Sequence, residues 1–259
     1  MMKIPKKVLD RFSADLKKFQ TVANSHKTRD VSEADTVTLV KDILATIFGF
    51  DKYEELTSEQ QIRGTYCDLA VKIEGKIKYL IEVKAAAITL NNSHMQQALN
   101  YGANHGIEWV VLTNSLDWKL YRIKFAQPID YEEVSSFNLS NLNIKSEDDL
   151  NKMFLLCKEG IGGDAMGLYH QHTQLVNKFV IAEIVGSETI VSVIRRELKR
   201  LFPELKVEAE QIADILRNDV LKREVIEGEK VKETQAKIKK ATSKLAKQSA
   251  KKLASASTE

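Results

Sequence analysis

C-D-L-A-V-K-I at Cys67–Ile73 and K-Y-L-I-E-V-K-A at Lys78–Ala85 decide how this chain folds. Both alternate with a period of two. In the first, Leu69, Val71 and Ile73 point to one side, and Asp68 and Ala70 to the other. The second is rich in β-formers. Between them, Glu74-Gly75-Lys76 supplies turn chemistry, so the pair predicts a β-hairpin. Glu82 and Lys84 lie two apart and share a face. A hairpin turning near Gly75 sets Asp68 close to opposite both.

Two carboxylates and a lysine on one sheet face serve packing poorly. As a Mg²⁺ site they are sensible, because hard cations take carboxylate oxygens and keep several waters. A lysine beside such a site can position the attacking water on a phosphodiester. The plain alternative is an edge strand whose Glu82 and Lys84 form a mild surface pair.

Outward from the hairpin, Val8, Leu9, Phe12, Leu16 and Phe19 predict a helix over Lys6–Ala23. A second helix starts after Asp30 or Ser32 and runs to Ile47, with Gly49 as its stop. Thr57–Ile62 reads as a short strand. Asn91 or Ser93 caps a helix that ends at Gly106. Within it, Gln97 and Tyr101 are four apart, share a face and can hydrogen-bond phosphate oxygens. Glu108–Thr113 is a continuous apolar run typical of a central strand, and Asp117–Phe125 alternates as the next one.

After Pro128 the composition shifts. Ser146–Lys158, Asp164–Val185, Glu188–Leu201 and Val207–Val225 read as amphipathic helices. The expected organisation is an α/β domain over 1–130, a helical module over 146–228 and a Lys/Ala-rich tail over 229–259, disordered or weakly helical. Nine lysines against three glutamates give the tail +6, so the remaining chain is mildly acidic at −3 within a net charge of +3. Such a tail can hold nucleic acid or an anionic membrane surface, or merely solubilise the chain. Val231, Ile238 and Leu245 form a thin seven-residue seam in it.

Two cysteines cannot build a disulfide scaffold, and the longest apolar stretch is too short to span a membrane. MMKIPKKVLDRF has no apolar segment after its lysines, so no secretory signal is expected and the expected location is cytoplasmic. His170-x-His172 puts two imidazoles on different helix faces and reads as structural. Gly160–Gly167 reads as a loop, Cys157 as core, and Trp109 and Trp118 as packing.

From Glu33 to Phe125 the chain resembles the PD-(D/E)XK nuclease superfamily, and more narrowly the N-terminal nuclease domain of type I restriction enzyme motor subunits. The matching residues are Glu33 ahead of a helix ending in Phe48-Gly49-Phe50, Asp68 in C-D-L-A-V, Glu82-Val83-Lys84, the Gln97-x-x-x-Tyr101 helix, and the apolar run ending in Thr113-Asn114. The resemblance implies a restriction-endonuclease-like core of helix, β-meander, helix and strand. It implies Asp68 and Glu82 as ligands of Mg²⁺ (or Mn²⁺), Lys84 as the residue that positions water, and Glu33 as an assistant at the metal. Gln97 and Tyr101 would support the site or the DNA backbone. Glu33 has a plainer reading too, as an acidic residue favourable to a helix N-terminus.

Cys67 stands where the superfamily has Pro. No G-x-x-x-x-G-K-[ST] occurs, so the chain carries no ATP motor of its own. The expected function is a metal-dependent deoxyribonuclease acting on DNA in restriction–modification. The alternative is a non-catalytic nucleic-acid-binding or assembly protein on a nuclease-like fold, and the C-terminal helices could join a second copy or a protein partner.

Overall fold

The computed structural model describes residues 2–58 and 67–256, with side chains as far as residue 243. It divides into two compact units, Met1–His170 and Gln171–Glu259.

The first unit is mixed α/β. Helices α1 (Lys6–Thr28) and α2 (Glu33–Thr46) come first, followed by strands β1 (Leu56–Ser58), β2 (Leu69–Ile73) and β3 (Lys76–Val83). Helix α3 (Gln96–His105) then crosses to β4 (Trp109–Thr113), which is followed by β5 (Asp117–Lys124) and β6 (Asp130–Asn138). Among the described residues the sheet has six strands, which lie in sequence order. Only β3 and β4 pair in parallel, because α3 carries the chain back over the sheet between them; the other neighbours are antiparallel. The expected strand Thr57–Ile62 is described only through Ser58, and its remainder lies outside the described residues.

Local signals account for the element ends. The Ser32 hydroxyl accepts the Asp35 N–H at 3.2 Å and caps α2. Asn91 caps a 3₁₀ turn (Asn92–Met95) that leads into α3, which stops at Gly106 with φ 67°.

The alternation of the strands splits the core between the two faces of the sheet. Leu69, Val71, Tyr79, Ile81, Val83, Val111 and Trp118 join the apolar faces of α1 and α2. Ala70, Leu80, Val110, Leu112 and Ile123 pack instead with Leu99 and Tyr101 of α3.

Two parts of this unit differ from the sequence expectation. The polar stretch after Pro128 forms β6, a sixth strand on the edge of the sheet. It carries an irregularity where Leu120 faces Ser135 but Tyr121 faces Glu133, leaving Val134 as the extra residue. The helices α4 (Glu147–Leu155) and α5 (Lys158–Gly162) also belong here, so the division falls after His170 rather than at 130–146. Met153, Phe154, Leu155 and Cys157 are buried in the same core as α1 and α2, and the Tyr79 hydroxyl donates to the Leu156 carbonyl at 3.1 Å. The glycine-rich 160–167 is therefore mostly helical. Gly160 is needed there because a Cβ would sit 2.0 Å from the Phe154 carbonyl oxygen.

The second unit is helical. Helix α6 (Ala165–Leu175) spans the division, and Asn177 caps α7 (Lys178–Val185), so the single helix expected over Asp164–Val185 is two. Helix α8 (Glu188–Leu201) follows. The stretch Val207–Val225 holds α9 (Ala209–Ile215), a π-turn at Leu216–Val220 and α10 (Arg223–Ile226). Val191, Ile212 and Leu216 are the buried centre of this unit. The tail forms a helix, α11 (Glu229–Ala256), and its first turns pack on α7. Among the described residues no helix is long and apolar enough to cross a membrane.

Candidate active site

Four of the expected site residues meet at the end of the β2–β3 ladder. Asp68 directly precedes β2, and its Oδ2 accepts the Val83 N–H at 2.7 Å. The carboxylate thus supplies the next rung of the hairpin where strand β2 has yet to begin. Glu82 is the penultimate residue of β3, on the same side as Leu80, and is 1% exposed. Lys84 follows the strand, and its backbone N–H donates to the Thr113 carbonyl at 2.9 Å.

The Lys84 ammonium lies 2.7 Å from Glu82 Oε1 and 3.7 Å from Glu33 Oε2. Glu33 is the first residue of α2, and burial of Leu39, Val40, Ile43 and Leu44 packs that helix against the sheet. The lysine therefore sits between a buried glutamate and a half-exposed one. Glu33 reaches the site through Lys84 while remaining in the first turn of its helix, where a negative charge also suits the helix dipole.

The electrostatics here are those of crowded acids. Burial first, and then the charge of Asp68, push the Glu82 carboxyl up to about 7, against the opposing pull of Lys84. For Lys84, burial alone would lower the pKa. Glu82, Asp68 and Glu33 outweigh it, and the ammonium is raised above its ordinary value. The neighbouring Cys67 thiol is pushed up to about 12 by burial and by the same two carboxylates, so it is an inert apolar filler at this corner.

Glu82 Oε2 is buried and has no hydrogen-bond partner among the described residues. An orphaned carboxylate oxygen in such a place costs free energy and asks for a cation or donor. Asp68 and Glu82 offer the hard oxygen ligands that Mg²⁺ or Mn²⁺ accepts, with waters filling the remaining positions. Among the described residues no group of three or more histidine, cysteine, aspartate or glutamate side chains could hold a metal ion.

Gln97 and Tyr101 do not share an environment. Gln97 is exposed, whereas Tyr101 is fully buried, stacked on His105 at 4.5 Å between ring centroids. Its hydroxyl has no hydrogen-bond partner among the described residues, and burial raises its pKa. A phenol buried in the α3-side core in this way does not present itself to a DNA backbone.

Asn114 is a structural residue that the Thr113-Asn114 resemblance leaves without a role. Its Nδ2 donates to the Ile88 carbonyl at 2.9 Å, which ties the segment after Lys84 to the β4–β5 turn. Its Oδ1 accepts the N–H groups of Leu116 at 3.1 Å and Asp117 at 2.7 Å. An Asn leading a strand–turn–strand, as in Asn114-Ser115-Leu116-Asp117, is the signal that marks such a residue.

Elsewhere, His170 is buried between Arg122 Nη1, 2.8 Å from its Nδ1, and Glu132 at its Nε2, while His172 is exposed. Trp118 is buried against Phe48 and Phe137, and Trp109 lies beside His170 and Arg122.

The first unit is thus a mixed α/β domain with an acid–acid–lysine corner at the end of a central hairpin. Residues 44–137 match the family model described as Type I restriction enzyme R protein N terminus (HSDR_N). That stretch runs from the last turn of α2 through almost all of β6. It contains Asp68, Glu82, Lys84, Gln97, Tyr101 and Asn114, and leaves Glu33 outside. This part of the chain is therefore similar to the N-terminal region of type I restriction enzyme R proteins. No curated protein and no solved structure matches the chain.

Proposed function

We propose that this protein is a metal-dependent deoxyribonuclease with a restriction-endonuclease-like first unit, acting by phosphodiester hydrolysis. The observation that carries the reading is the corner itself: a buried Glu82 with one unpartnered oxygen, Asp68 beside it, and Lys84 held between Glu82 and Glu33. The family match over residues 44–137 supports it, as does the element order α2, β1–β2–β3, α3, β4.

Asp68 and Glu82 are the residues that would hold Mg²⁺ or Mn²⁺. When bound, such a cation supplies charge neutralisation at the phosphate and lowers the pKa of a coordinated water. The protein's part is positional. The Val83 N–H fixes the Asp68 carboxylate, the strand fixes Glu82, and the Thr113 carbonyl fixes the backbone of Lys84. Lys84 directs its ammonium to where an attacking water would lie and stabilises negative charge developing on the phosphate. Glu33, on the other side of Lys84, limits its swing. Gln97 is free on the surface of α3 to contact a phosphate oxygen, while Tyr101 supports α3 from below.

The test is incubation of purified protein with linear, circular and single-stranded DNA, with Mg²⁺ or with EDTA. Cleavage is expected with Mg²⁺ only. Asp68→Ala, Glu82→Ala and Lys84→Ala should each lower it by about a hundredfold or more while leaving the protein folded. Wild-type-like cleavage by Glu82→Ala would refute the site, and no cleavage of any substrate would leave a non-catalytic DNA-binding or assembly protein on the same fold.

A further inference from the structure

Helix α11 separates an apolar docking edge from a long cationic face. Val231 and Thr234 are buried and Ile238 is half-buried where the helix packs on α7. Gln235 donates to Glu183 at 3.1 Å and Lys237 to Gln174 at 3.0 Å, which further fix the first three turns. Val231, Thr234 and Ile238 are thereby occupied within the second unit.

What remains exposed is charge. Glu229–Ala256 carries nine lysines against two glutamates, a formal +7. Its 28 residues extend for about 42 Å at 1.5 Å per residue. Lys230, Lys232, Lys239 and Lys240 are exposed. Among the described residues, no lysine of α11 forms an ion pair with a carboxylate. In contrast, Lys178, Arg195, Arg200 and Arg223 of the same unit each have an acidic partner. The rest of α11 is mainly Ala, Ser, Thr and Gln, with no aromatic residue to enter a lipid surface. Exposed lysines that form no ion pair, along the described side chains of a helix, suit a linear polyanion.

We infer that α11 is a separate, sequence-independent binding surface for duplex DNA, which engages phosphates through its lysines. It keeps the substrate beside the protein by counterion release and reads no bases. The inference does not depend on whether the first unit cleaves DNA.

The experiment measures binding of a labelled duplex of about 30 base pairs by fluorescence anisotropy, in EDTA so that cleavage cannot intrude, from 50 to 300 mM salt. The main variant is the quadruple Lys230→Gln/Lys232→Gln/Lys239→Gln/Lys240→Gln, which spares Val231, Thr234 and Ile238 and keeps good helix formers. A second variant ends after Gly228. For the quadruple variant, affinity is expected to fall at least about tenfold near 0.1 M salt, with the slope of log K against log salt shallower by about 2–4, at 0.9 per lost phosphate contact. Lys17→Gln/Lys27→Gln, which removes two exposed lysines of α1, should keep wild-type affinity and slope, which separates this surface from a general loss of positive charge. Unchanged affinity and slope in both the quadruple variant and the truncation would overturn the inference. So would α11-dependent binding of phosphatidylglycerol-containing vesicles that is as tight as binding of the duplex, because that would assign the helix to a membrane surface.

Discussion

Glu159 is the acid whose neutralisation should most visibly loosen the first unit. Both of its carboxylate oxygens are held by Arg11, Nη1 to Oε1 and Nη2 to Oε2, each at 2.8 Å, and Lys7 adds a contact at 3.1 Å. The same guanidinium donates through Nε to the Ile47 carbonyl at 3.1 Å and through Nη2 to the Phe48 carbonyl at 3.4 Å. Arg11 therefore joins α1, the end of α2 and α5. Its hydrogen bonds, against the opposing effect of burial, hold the Glu159 carboxyl down at about 2, from an ordinary 4.5. At about 1.4 kcal/mol per pKa unit, that corresponds to about 3 kcal/mol of coupling. The pair is still 24% and 16% exposed, so solvent screening reduces the expected contribution to about 1–2 kcal/mol.

The sign follows from the depressed pKa. The stabilisation is complete above about pH 4.5 and is lost as the pH falls towards 2. Glu159→Gln keeps the shape and removes the charge. It should cost about 1–2 kcal/mol at pH 7, and the gap to wild type should close between pH 4.5 and pH 2.5. Urea unfolding followed by tryptophan emission is the assay, because both tryptophans, Trp109 and Trp118, lie in the first unit. With a slope of about 2 kcal/mol/M, the midpoint should move by about 0.5–1 M at pH 7. A gap that is the same at pH 7 and pH 3 would show that the clasp works by shape alone, and would refute the electrostatic account.

Two further outcomes bear on the candidate site. Glu82→Gln, measured in EDTA, should raise the stability of the metal-free protein by about 1–2 kcal/mol, because it removes a buried charge that has one oxygen unpartnered; a lower urea midpoint than wild type would contradict this. Asn114→Ala removes one donated and two accepted hydrogen bonds and should cost about 1–3 kcal/mol. It should also speed amide exchange at Leu116 and Asp117, and unchanged exchange there would show that the turn does not rely on Asn114.

The sequence made the central hairpin readable because strand parity is strict. Once Cys67–Ile73 and Lys78–Ala85 were strands, Asp68, Glu82 and Lys84 had to lie near one another, and β2 and β3 pair with Leu69 opposite Ile81. Caps at Ser32 and Asn91 and the stop at Gly106 were readable for the same reason: each is a local requirement of the backbone. Strand β6 was not, because an edge strand can be polar on most of its length. D-Y-E-E-V-S-S-F-N satisfies β5 with its backbone while Val134 breaks the alternation. The C-terminal limit of the first unit was hidden for a different reason. Met153, Phe154 and Leu155 announce that a helix buries one face, but an amphipathic stripe does not say against what.

Glu33 and Tyr101 mark the same boundary within the candidate site. The resemblance points to both, and helical spacing points to Tyr101 as well. The hairpin fixes Asp68 and Glu82 through contacts some fifteen residues apart. Glu33 must instead be brought in by a whole helix, through Leu39, Val40, Ile43 and Leu44 packing on β2 and β3, and it meets the corner through Lys84. Helical spacing placed Tyr101 on the same face as Gln97, but it could not say where α3 would roll on the sheet. Burying Ala98, Leu99 and Gly102 turns Tyr101 inward and leaves Gln97 outside. Side chains set by neighbours along a ladder are legible from spacing alone. Those set by the docking of one element on another depend on the summed packing of the core, which no short motif contains.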